Sequence, residues 1–180
     1  MGLPLPTWLL TWDRRGVADN VTLPANDETW AVVVFSDGGA WQVGQLPPAV
    51  SGDLGDVETA VRGQLPGSFA LVDVADDFFI VVRNAGGSLR FLLSDVTASS
   101  EWELAAQVMD RLELDIPDED DLDEILPAGD LDLFDDLGLD AMELGAILSD
   151  VDAYADEMLS TLARRLGFAD AYERVVDALA

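Results

Sequence analysis

From Trp30 onward, apolar β-branched runs alternate with short polar turns. Trp30–Phe35 (WAVVVF), the turn Ser36-Asp37-Gly38-Gly39 and the alternating run Ala40–Gln45 (AWQVGQ) predict a hairpin. Leu46-Pro47-Pro48 ends it. Asp53 stands where a helix cap belongs, and Val57, Ala60, Val61 and Gln64 share one face of a helix running to about Gln64. Pro66-Gly67 breaks that helix. Three strands then follow closely: Ser68–Val74, Phe78–Arg83 and Ser88–Leu93, separated by Asp76-Asp77 and by Asn84-Ala85-Gly86-Gly87. This stretch predicts β-β-α-β-β-β, a mainly antiparallel sheet with one helix on a face.

The second half changes period. Ser100 and Glu103 have the spacing of a capping box, and Trp102, Ala105, Ala106, Met109 and Leu112 recur at helical intervals up to a stop at Pro117. Asp118–Glu124 (DEDDLDE) is a charged run, and Leu126-Pro127-Ala128-Gly129 predicts a break. Leu131–Leu148 predicts one or two short helices around Gly138. Val151, Tyr154, Met158, Leu159, Leu162 and Leu166 make an amphipathic helix closed by Gly167, and Phe168, Tyr172, Val175, Val176 and Leu179 make the last one. The fold class expected is α+β, a sheet followed by a C-terminal group of helices. The chain divides into an undefined segment at 1–28, a sheet domain at 29–96 and an acidic helical region at 97–180 that packs on the sheet.

Residues 1–28 fit no clear pattern; Thr7–Trp12 (TWLLTW) is at most a short strand, and Pro24–Glu28 a loop. Met1–Trp12 lacks a basic start and is interrupted by Pro4 and Pro6, so it does not read as a signal peptide. No stretch is long and apolar enough for a membrane helix, and the expectation is a cytoplasmic protein.

Charge sharpens this picture. The 180 residues hold 36 acidic and 9 basic side chains, a net of −27. The basic residues are all Arg, and there is no Lys, His or Cys. These absences exclude disulfides, His or Cys zinc sites, a Ser-His-Asp triad, a Cys nucleophile, a Schiff-base Lys and a P-loop. Residues 1–95 hold 12 acids and 5 Arg, a net of −7, whereas residues 96–180 hold 24 acids and 4 Arg, a net of −20. Direct binding of nucleic acid or of an anionic membrane is disfavoured, and a basic protein is the partner expected by sign. Solubility alone is the plainer reading of the same charge.

Three candidate chemistries follow from the acids. The run could hold Ca²⁺, but the EF-hand spacing fails: counted from Asp118 the sixth position is Asp123 and the twelfth Gly129, and counted from Asp130 the sixth is Asp135. A carboxylate pair could act as acid and base, with Trp30, Trp41 or Trp102 to stack a substrate. With 36 acids some pair falls at any chosen distance, so this signal discriminates little. Finally, Asp136-Leu137-Gly138-Leu139-Asp140 is similar to the acyl-carrier motif, but Ala141 stands where the carrier Ser would be. A Gly turn followed by an Asp cap is the simpler reading. No catalytic, cofactor or metal residue is assigned. The acidic run, Asp118, Glu119, Asp120, Asp121, Asp123 and Glu124, is the candidate surface for a partner.

Phe78–Arg83 (FFIVVR), Arg90–Asp95 (RFLLSD), Gly129-Asp130-Leu131 leading to Asp136-Leu137-Gly138, and Leu166–Asp170 (LGFAD) resemble the actinobacterial tRNA adenosine deaminase-associated proteins. The resemblance covers about residues 30–180 and brings no catalytic residues with it. It implies a genomic association with the enzyme that converts adenosine to inosine in tRNA. The chain cannot be that enzyme, since a zinc deaminase needs His and Cys ligands. The expected function is a non-catalytic acidic interaction protein, a partner or regulator of a tRNA adenosine deaminase. The alternatives are an acidic nucleic-acid mimic inhibiting another basic protein, and a carboxylate-based, metal-dependent enzyme.

Overall fold

The computed structural model describes residues 29–118, 120 and 125–179. The strand expected at Thr7–Trp12 and the loop at Pro24–Glu28 lie outside them, as do Glu119, Asp121, Asp123 and Glu124 of the acidic run.

The hairpin forms as its pattern requires: β1 (Thr29–Asp37) and β2 (Ala40–Leu46) pair antiparallel, with Asp37 opposite Ala40. Gly38 and Gly39 both take positive φ, the conformation a two-residue hairpin turn demands. A short helical turn, α1 (Pro48–Ser51), follows where only a strand end was expected; Pro48 at its first position supplies a φ already suited to a helix. Next comes α2 (Leu54–Arg62), capped by the Asp53 carboxylate, which accepts from the Asp56 N–H at 3.2 Å. The strands β3 (Phe69–Val74), β4 (Phe78–Ala85) and β5 (Ser88–Leu93) form a meander. Its β3–β4 turn places Ala75 and Asp76 at positive φ, held by the Asp77 N–H donating to Val74 O at 3.0 Å.

Among the described residues six strands make one antiparallel sheet in the order β2-β1-β3-β4-β5-β6. The sixth, β6 (Ala128–Gly129), lies in the segment expected to be a break. Gly129 explains the two-residue strand: a Cβ there would stand 2.1 Å from Phe91 O, and its φ is +103°.

Within the sheet region α2 lies on one face as expected, and the later helices add to that face and cover the other. Helices cover both faces. Ala31, Val33, Ala70, Val72, Ile80 and Val82 pack against α2 and α3 (Glu103–Arg111), and Val32, Val34, Phe69, Leu71, Phe79 and Val81 pack against α4 (Ala141–Leu148), α5 (Ala155–Leu166) and α6 (Ala169–Val176). β3 is therefore buried along its whole length, which is why its sequence, Asp73 apart, is apolar without alternation. On the second face Phe69 stacks edge-on against Phe134 and Phe168, at 5.0 and 5.7 Å between ring centres.

Three helix ends also differ from expectation. The Ser100–Glu103 box does not form. Residues Val96–Ser100 are a 3₁₀ helix, Ser100 Oγ donates to Thr97 O at 2.9 Å, and Trp102 precedes α3. That helix ends at Arg111, ahead of Pro117, where Glu113 takes positive φ. Val151 lies outside α5, which Tyr154 precedes; the Tyr154 N–H donates to the Glu157 carboxylate at 3.1 Å. Gly138 and Gly167 are left-handed as expected, and the Asp140 carboxylate accepts from the Glu143 N–H, so the carrier-like string is a turn and a cap.

Candidate functional site

Surface charge follows from how the Arg side chains are used. Arg83 is buried at the end of β4 and donates from Nη1 and Nη2 to Asp136 Oδ1 and Oδ2 at 2.6 and 2.7 Å. Nη1 also donates to Leu133 O, and the guanidinium lies 5.6 Å from the Phe134 ring centre. Arg90 donates to Asp130 at 2.9 Å and to Asp132 at 2.5 Å. Arg111 on α3 donates to the buried Glu58 on α2 at 2.6 Å, and Arg62 lies 3.9 Å from the same carboxylate. Arg165 on α5 holds Glu143 on α4. These pairs fasten elements to each other. Each pair neutralises an acid as well as an Arg, so the excess of 36 acids over 9 Arg is left on unpaired carboxylates.

Hydrogen bonds from Arg83 hold the Asp136 carboxyl below its ordinary range. The Arg83–Asp136 and Arg90–Asp130 pairs join the ends of β4 and β5 to the segment between β6 and α4. The FFIVVR, RFLLSD and GDL strings therefore meet at one place, some 40 to 53 residues apart in sequence. That convergence could not be read from spacing.

Of the candidate partner surface, Asp118 and Asp120 are exposed, and the other four acids lie outside the described residues. Among the described residues no group of three or more acidic side chains is gathered as a metal site.

A second acidic feature stands at the β3–β4 turn. Asp73 is 1% exposed on the second face of the sheet, opposite Trp30 on β1 and Phe79 on β4. Its Oδ1 accepts from the Asp76 N–H at 2.9 Å, and its Oδ2 has no partner among the described residues. Burial pushes this carboxyl up to about 7, with Asp76 and Asp156 adding to the effect. Asp76 Oδ1 in turn accepts from the Asp156 N–H at the start of α5. Burial also raises the Tyr172 phenol, again with Asp73 and Asp156 contributing. The sequence carried a signal here, an Asp on the inward side of an otherwise apolar strand (SFALVDV).

An open groove of about 470 Å³ lies at the same end of the sheet. It runs between the chain before β6, the loop from α4 to α5, and the turns before β4 and after β5. Ile125, Leu126, Val151 and Met158 give its apolar surface, and Asp77, Asp95 and Asp150 its charge. The backbone fixes its wall: the Val96 N–H donates to Leu126 O at 2.8 Å. Ile125, Leu126 and Val151 are 60%, 48% and 85% exposed. No helix among the described residues is long and apolar enough to cross a membrane.

The family described as Rv3753c-like tRNA adenosine deaminase-associated protein matches residues 29–169. Protein Rv3753c of Mycobacterium tuberculosis (strain ATCC 25618 / H37Rv) is 40% identical over 162 residues, which cover 87% of this chain and 93% of that protein. No solved structure matches the chain.

Proposed function

The chain belongs to the Rv3753c-like tRNA adenosine deaminase-associated protein family, and from that premise we propose that it is a non-catalytic acidic partner of a tRNA adenosine deaminase. It docks on the basic surface with which the enzyme meets tRNA. The observation that carries this reading is charge: −27 in 180 residues, with Arg62, Arg83, Arg90, Arg111 and Arg165 each tied to carboxylates of the same chain. Such a surface repels tRNA and attracts what binds tRNA. The lack of His and Cys supports a partner role over a second zinc deaminase.

The test is calorimetric titration of the cognate tRNA adenosine deaminase with the purified chain at low and moderate salt, with tRNA as competitor. Saturable binding that weakens with salt and is displaced by tRNA is expected. Absence of binding at both salt concentrations refutes the proposal.

A further inference from the structure

We infer that the groove beside α5 takes an amphipathic basic segment of a protein partner, its apolar side chains entering and its Arg or Lys side chains meeting the rim. This rests on the proposal that the chain works as an acidic interaction protein, and names the surface it uses.

Three observations converge. The first is where the exposed apolar residues fall. Among the described residues Leu65, Leu114, Ile116, Met142 and Tyr154 are exposed outside this groove, whereas Ile125, Leu126 and Val151 are exposed and all three line it. A cluster of that kind marks a contact surface, whereas single exposed residues such as Met142 need no explanation. The second is the rim. Among the described residues its charged side chains are Asp77, Asp95 and Asp150, and none is basic. A second copy of the chain would bring acid against acid and −27 against −27, so a basic occupant fits where a self-contact does not. The third is shape. Its apolar residues Ile125, Leu126 and Val151 keep about half or more of their surface in water, so the groove leaves them to be covered by a segment laid across them. An amphipathic helix laid in a groove satisfies all three.

The probe is a short labelled helical peptide with one Leu face and one Lys face, titrated by fluorescence anisotropy into the full chain. The variants are Ile125→Asp with Val151→Asp in the groove, and Met142→Asp as an equally exposed control on α4. Each substitution adds negative charge, so binding to diffuse acidity would hold or strengthen. If the groove binds, Kd is instead expected to rise at least about tenfold for the groove variant and to change less than about twofold for the control. Equal affinity for wild type and groove variant overturns the inference. So does failure of the full chain to bind the peptide, whether a second copy or its own N-terminal residues fill the groove. Titrating the cognate deaminase into the same variants separates the two readings. Peptide binding that needs the groove without any deaminase binding leaves the groove standing and removes the deaminase. Deaminase and peptide binding that both ignore the groove substitutions do the reverse.

Discussion

Replacing Asp73 with Asn isolates what one buried carboxyl does to stability across pH. The side chain is 1% exposed, and Asn keeps the acceptor that the Asp76 N–H uses. In the folded chain the Asp73 carboxyl is raised from 3.8 to about 7 by burial, helped by Asp76 and Asp156. The folded state therefore holds this proton more tightly than the unfolded state. Unfolding releases it between about pH 4 and 7, so its stabilising effect is complete below that window and is lost as pH rises through it. A shift of about three units is worth about 4 kcal/mol, at 1.36 kcal/mol per unit. Asn cannot ionise and should not follow this decline. Its amide leaves a buried donor unpartnered, a cost of about 1–3 kcal/mol that does not depend on pH. The test is therefore the difference in unfolding free energy between variant and wild type, from urea titrations at a series of pH values with the m-value checked for constancy. That difference should move in favour of the variant by about 3 kcal/mol between pH 4.5 and pH 8. A difference that stays constant over this range would refute the assignment of a raised carboxyl to Asp73.

Asp136→Asn removes the bidentate partner of Arg83, whose side chain is only 5% exposed, and should cost about 1–3 kcal/mol in urea titration at pH 7. Because the Asp136 side chain is itself 66% exposed, screening puts the cost toward the lower end. The depressed Asp136 carboxyl stabilises the fold above 3.8, and this contribution is lost as the pH falls through its lowered value; the variant should match wild type in strong acid. Gly129→Ala forces a Cβ to within 2.1 Å of Phe91 O at a φ of +103°, and should lower stability by about 2–4 kcal/mol in thermal melts. Gly145→Ala, in open space on α4, should raise it by about 0.5–1 kcal/mol in the same assay.

What the residues disclose without coordinates depends on how local the cause is. Strands β1 to β5 are legible because turn chemistry and β-branched runs act over a few residues; Gly38-Gly39 and Gly86-Gly87 announce their hairpins. The caps at Asp53 and Asp140 are legible for the same reason. The Ser100–Glu103 box has the right spacing, but Ser100 spends its hydroxyl on the preceding 3₁₀ turn, a local competitor that spacing cannot weigh. β6 is invisible because two residues carry no period, and its pairing partner, β5, lies far back in sequence. The second covered face was encoded in the apolar runs Phe69–Val72 of β3 and Phe78–Val82 of β4, which do not alternate as a half-exposed sheet would. Of the site, only charge was legible. The groove is made by Asp77, Asp95, Leu126 and Val151, which tertiary structure alone brings together.

That geometry separates fold from function. Three of the strings that carry the family resemblance, the one ending at Arg83, the one starting at Arg90 and the one running through Asp130 and Asp136, meet at the turn end of the β4–β5 pair. There they clamp the C-terminal helices' approach to the sheet. The groove opens at the opposite end of the same two strands, by Asp77 and Ser94. The Arg83–Asp136 and Arg90–Asp130 pairs therefore hold the fold at one end, whereas Ser94 and Asp95, which close the RFLLSD string, line the groove at the other. A substitution at Asp136 should lower stability and leave the affinity of correctly folded molecules unchanged. Charge placed at Ile125 or Val151 should change affinity and leave stability alone, since both side chains are already in water. If the Asp136 variant, kept well below its melting temperature, also lost the partner, clamp and groove would be coupled, and the division of labour between the two ends of β4 and β5 would fail.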